Sequence, residues 1–252
     1  MLKRVKNYPI IASLLVFMAF QSLLKWPGAF YLIILILMVI LLAVRYICGY
    51  SYKQKKLWLH FLTLALLVSS VFLYLYFVKS NTLKQILIIG ICFYHLFLLR
   101  SYFNYFRKIN IHKSNLPNII NYTSLLSAFF FFTSFFALRI FMGFNLFWLI
   151  VFVLILVFIL VLTDFKFQNI SIKENYLYII VMILLSLEIF WTIIFLPTHF
   201  LVNGFFLTLF FYVILNIMRL NILKELNNKT LFRYLSFGLA SSLLIFLTAQ
   251  WV

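Results

Sequence analysis

Apolar residues fill this chain in long blocks, divided by short polar stretches that are mostly basic or built from Asn, Ser, Thr, Pro and Gly. Nine blocks follow one another: Pro9 to Leu24, Ala29 to Ile47, Leu57 to Val78, Gln85 to Phe106, Ile119 to Phe141, Leu146 to Thr163, Tyr176 to Leu196, Phe200 to Met218 and Leu231 to Gln250. At ~1.5 Å per residue, runs of this length cross the ~30 Å of hydrocarbon in a bilayer. In that solvent a single segment satisfies its own N–H and C=O groups only as a helix. The expected fold is therefore all-α, a polytopic integral membrane bundle of about nine transmembrane helices. Its connections are short, such as Leu196–His199 and Arg107–Asn118. They predict a single transmembrane domain over residues 1–252 with no soluble domain.

Composition removes the alternative of a water-soluble fold. The chain is 66% hydrophobic and 10% charged, with a mean hydropathy of +1.13, too little polar surface to cover a core in water. The net charge of +17 would suggest nucleic acid in a soluble protein, but its distribution reads as topology and nucleic acid is not an expected partner. With the amino terminus inside, all of the 21 Lys and Arg residues except Lys25, Lys79, Lys84 and Arg139 fall on the cytoplasmic side. This predicts a protein integral to a plasma membrane or bacterial inner membrane, N-terminus cytoplasmic and C-terminus external. The expected partners are membrane lipids, with anionic headgroups at the basic inner face. The first segment follows a basic start but lacks a small-x-small cleavage site, so it is read as retained.

A weak internal repeat is visible. Ser51-Tyr52-Lys53 and Ser171-Ile172-Lys173 open the third and seventh segments, and Phe93-Tyr94 matches Phe211-Tyr212 in the fourth and eighth. These matches suggest one leading helix followed by two parallel four-helix halves, 28–142 and 143–252. In the fifth segment, the run Phe129 to Phe132 with Phe135 and Phe136 covers nearly every helical face and is read as lipid-facing bulk. In the ninth, Gly238 with Ser242 and Ser236 with Ala240 place small residues four apart for close internal packing.

Candidate chemistry is sparse. Glu188 reads as the one acidic residue inside an apolar run, since Asp164, Glu174 and Glu225 lie at segment ends or in basic loops. A carboxylate in hydrocarbon needs a partner, a proton or a function. His95 in the fourth segment sits at a similar depth, and the two form a candidate substrate or proton site, with Arg139 as the next partner. His199 and Asn203, in and after the outer turn, mark a possible entrance, although an amide at Asn203 is first a helix cap. Arg45, Arg100 and Arg219 sit near inner helix ends and are expected to snorkel to headgroups. Cys48 and Cys92 are isolated, and no metal-ligand spacing, phosphate loop, carboxylate pair or hydrolase motif occurs. No metal, cofactor or catalytic set is expected, and enzymatic activity is disfavoured. The leading reading is a small permease-like or lipid-handling carrier that uses an intramembrane carboxylate. The alternative is a non-catalytic structural or accessory subunit, with a lipid-linked enzyme third. Substrate and protein partners are beyond the sequence.

Overall fold

The computed structural model describes residues 8–26, 31–48, 54–106 and 116–249. Within them the chain forms nine helices: α1 (Tyr8–Lys25), α2 (Tyr31–Cys48), α3 (Gln54–Phe77), α4 (Asn81–Phe106), α5 (Leu116–Met142), α6 (Leu146–Phe167), α7 (Tyr176–Ile193), α8 (Phe200–Ile222) and α9 (Asn228–Thr248). Eight are long and apolar enough to cross a membrane, and α2 contributes the shorter apolar stretch Ile36–Arg45. The fold is an all-α helical bundle, as the block lengths predict. Ala29 at the head of the second segment, the Ser51 end of the repeat and residues 107–115 lie outside the described residues.

Two compact units make up the chain, residues 1–123 and 124–252, with the division inside α5. In the first, α1 packs against both α2 and α4, and α2 also packs against α3 and α4. The leading helix is thus an integral member of its unit. Gln21 of α1 and Gln85 of α4 exchange amide hydrogen bonds at 2.6 and 3.2 Å, and farther along Ser13 reaches His95. As the α1 numbers fall the α4 numbers rise, which makes the pair antiparallel.

In the second unit α6, α7, α8 and α9 pack in sequence, and α5 residues 124–142 stack aromatic rings on three of them. Phe135 meets Phe152 of α6, Phe136 meets Phe190 of α7 and Phe132 meets Phe211 of α8. Phe130, Phe132, Phe135 and Phe136 are buried, so the phenylalanine run is core and not lipid-facing bulk. A helix apolar on every side suits a position with neighbours on several sides. Gly204 of α8 is the point of closest approach: a Cβ there would stand 2.6 Å from the Cα of Thr133. On the far side of the unit α9 has no buried residue. Its Gly238 approaches Val213 of α8, as internal packing requires, whereas Ser236 and Ala240 are exposed.

The ends of α6 and α8 are built alike. Past Phe167, Asn169 adopts a left-handed φ of 57°, its N–H bonding Lys166 O, while Ile170 N–H bonds Phe165 O at 2.8 Å. Past Ile222, Lys224 has φ 58°, its N–H bonding Asn221 O, and Glu225 N–H bonds Leu220 O at 2.9 Å. Both are Schellman endings, which satisfy the last carbonyls internally. Each helix therefore continues a full turn past the point where its apolar run meets a charge, at Asp164 and at Arg219. The hydropathy boundaries at Thr163 and Met218 fell one residue short of both.

Candidate functional site

The extra turns bring together a constellation the sequence reading missed. Asp164 and Arg219 occupy the same place in their two Schellman endings, one residue before the carbonyl that accepts the long hydrogen bond. Each lies three residues, ~4.5 Å, inside its helix end. The Arg219 Nη1 stands 3.8 Å from Asp164 Oδ1, and the side chains are 14% and 2% exposed. The Nη2 group donates to Asn216 Oδ1 at 2.6 Å, and Asn216 Nδ2 donates to Tyr212 O at 2.8 Å, one turn back on α8. Asp164 Oδ2 and Arg219 Nη1 have no hydrogen-bond partner among the described residues. Arg219 therefore does not snorkel to headgroups. A buried acid one helix away holds it inside, because an ion pair lowers the cost of both charges.

Glu188 is then not the one acid within an apolar helix. Its side chain is exposed on α7, beside Leu184 and Trp191, which are 60% and 48% exposed. The buried stripe of that helix runs through Ile179, Met182, Ser186, Phe190 and Ile193. Glu188 is two residues from both Ser186 and Phe190, and residues two apart point to opposite sides of a helix. The carboxylate makes no hydrogen bond or ion pair among the described residues; the nearby Thr192 hydroxyl donates to the Glu188 backbone carbonyl at 2.6 Å.

His95 is fully buried, with Nδ1 hydrogen-bonded to the Ser13 hydroxyl at 3.1 Å and Nε2 without a partner among the described residues. Among the described residues no carboxylate bonds either ring nitrogen to orient it, as the acid of a nucleophilic triad would. The contact acts as a neutral hydrogen bond between α1 and α4. Beside it lies an open crevice of about 320 Å³ lined by Ile10, Ser13, Leu14 and Phe17 of α1 and Ile89, Cys92, Phe93 and Leu96 of α4. Ser13 is its only polar lining residue among the described residues.

The remaining candidates serve their own turns. Arg139 is exposed and donates from Nη1 to Phe144 O at 3.1 Å, closing the turn after α5. His199 is the N-cap of α8, its Nδ1 accepting from Leu201 N–H at 3.3 Å. Asn203 is buried and tied back to Thr198, to the hydroxyl and to the carbonyl oxygen. Among the described residues no group of three or more His, Cys, Asp or Glu is placed to hold a metal.

These features define a multi-pass α-helical membrane protein whose described helices are tied by neutral side-chain contacts, Ser13 with His95 and Thr63 with Tyr102 among them, and by the charged contact of Asp164 with Arg219. No protein-family model, curated protein or solved structure matches the chain.

Proposed function

We propose that this protein handles a lipid, or a comparably apolar amphipath, whose chain lies in the crevice between α1 and α4. The observation that carries this reading is the lining: seven apolar side chains and one hydroxyl around about 320 Å³. That volume falls within the ~300–1,000 Å³ range of small-molecule sites, and an apolar wall with one oriented polar group is their usual chemistry. The Ser13 hydroxyl, held by His95, supplies the polar end, and an acyl chain offers the matching apolar surface. The basic residues of the inner face then favour anionic headgroups, at about 1 kcal/mol for each Lys or Arg at the surface. In this reading the amino terminus is cytoplasmic and the protein resides in a plasma membrane or bacterial inner membrane. Thiol labelling of cysteines placed at Lys79 and Lys173 tests that orientation, and labelling of both from one side contradicts it.

Native mass spectrometry of the protein extracted from its membrane tests the crevice. A bound lipid should survive extraction, and Leu14→Trp, at an exposed rim position, should reduce its occupancy several-fold while leaving helicity intact. Equal occupancy in both proteins rejects this site. The second reading, an accessory subunit of a membrane complex, is favoured by α9, which has no buried residue and so leaves most of its surface to a neighbour. In that case a stoichiometric partner protein, and no lipid, accompanies the chain through extraction.

A further inference from the structure

We infer that Asp164 and Arg219 form a proton-binding site, in which uptake of one proton by the Asp164 carboxylate releases the arginine and unlinks α6 from α8. The geometry is that of a site with a missing partner. Arginine–carboxylate ties are frequently made through two short parallel hydrogen bonds, the stronger form of the pair. Here the closest approach is 3.8 Å, beyond hydrogen-bond reach, and the short bond of the arginine goes to the neutral amide of Asn216. One carboxylate oxygen and one guanidinium nitrogen, both buried, face no hydrogen-bond partner among the described residues. A proton on Asp164 forms an O–H bond and neutralises the carboxylate, with no electrons transferred. What remains is a cation already bonded to Asn216, one turn from the helix end, whose long side chain can swing to the headgroups.

Location favours the same reading. Asp164 is ~4.5 Å inside the end of α6, so a proton reaches it from the interface without crossing the apolar interior. Arg219 is the charged group that acts on it. The other charged residues at this end of the unit, Lys166, Lys173, Glu174, Lys224, Glu225, Lys229 and Arg233, are exposed on α6, α9 and the connecting turns. Nothing else charged is buried beside the pair among the described residues, so its charge state turns on one carboxyl group. The site is separate from the α1–α4 crevice and does not depend on what occupies it.

The composition makes a direct test possible, because Asp164 is the only aspartate in the chain. Aspartate labelled with ¹³C at the side-chain carboxyl gives one resonance from the full-length protein in lipid nanodiscs. Across the pH range in which circular dichroism shows intact helices, that resonance should move from its carboxylate to its carboxylic-acid position in a single step. Glu188→Gln should leave the titration unchanged, and Arg219→Lys should shift its midpoint. Nitroxide labels on α6 and α8 should show a longer interhelical distance on the acid side of that step. A resonance fixed at the carboxylate position throughout, or a titration that disappears in Glu188→Gln, overturns the assignment. If Arg219→Lys does not fold, Asn216→Ala serves in its place, since losing the bond that holds the arginine should shift the same midpoint. A midpoint unmoved by it counts against the site.

Discussion

Two carboxylates of the second unit, on adjacent helices, have opposite fates. Glu188 lies well inside the apolar run of α7 and is exposed, whereas Asp164 lies near the end of α6 and is 2% exposed. The difference comes from helical face and not from depth. In α6 the buried stripe passes through Leu149, Val153, Leu156, Val157, Leu160 and Val161, and Asp164 is its next position at the same spacing of three and four. In α7 the stripe passes on the other side from Glu188. An acid inward on a stripe must be paired, and Arg219 is there to pair it. An acid on the outward face meets the hydrocarbon or a neighbour, and its own bundle does not depend on it.

The strongest way to break this contrast is to remove the arginine alone. Arg219→Met leaves the Asp164 carboxylate buried without its counter-charge, a change that costs ~3–5 kcal/mol for buried pairs. Thermal unfolding in nanodiscs should show the loss, and adding Asp164→Asn to the same chain should return most of it. A single variant that melts like the parent, at a pH where the Asp164 resonance is still that of a carboxylate, would mean that Asp164 is not buried as described. A somewhat smaller effect is expected from Gly204→Ala, which acts on how α8 is seated. The added Cβ would meet the backbone of Thr133, 2.6 Å away at its Cα, and backbone does not yield as a side-chain tip does. Overpacking of this kind costs ~1–3 kcal/mol. Thr133→Gly in the same chain should recover little, because the clash with the Cα remains.

How much of this was legible in the sequence follows from the same contrast. The helices were, because a block of apolar residues has a length and the bilayer fixes what length is needed; all nine expected segments are helices. Their faces were not. In α6, from Leu146 to Leu162, every residue is apolar or aromatic, so there is no polar side from which the buried one is told apart. Depth was then the only coordinate available, and by depth Glu188 is the conspicuous acid. The hydropathy boundaries compounded this. A charge at the edge of an apolar run reads as the end of the segment and leaves both Asp164 and Arg219 just outside, whereas a Schellman ending is set by a left-handed residue several positions later. Neither Asn169 nor Lys224 is a glycine, so the usual mark of that ending was absent. One signal did remain: Asp164 is a lone acid against an apolar run at an end otherwise dominated by Lys and Arg, where a cation partner is always near. The contact of His95 with α1 was equally hidden, since Ser13 is one small residue in an apolar segment.

The neutral Ser13–His95 contact in the first unit should be less sensitive than the charged one in the second. Ser13→Ala removes the hydrogen bond to His95 but leaves no charge stranded, and interhelical hydrogen bonds in membranes average about 0.6 kcal/mol by double-mutant cycles. A modest fall in melting temperature is expected, well below that of Arg219→Met. The smallest effect belongs to Glu188. Its side chain has no partner among the described residues and no place on the buried stripe, so Glu188→Leu removes no contact that holds the unit together. The variant should melt with the parent in nanodiscs. It should also insert more readily, because an acidic side chain near the centre of a span costs ~2.5–3.5 kcal/mol on insertion scales, measured for Asp. A glycosylation-based insertion assay on the isolated α7 segment reads that second effect separately from folding. If Glu188→Leu instead lowers the melting temperature as far as Arg219→Met does, Glu188 is a buried structural acid. The distinction between an inward and an outward carboxylate then fails at its weaker end.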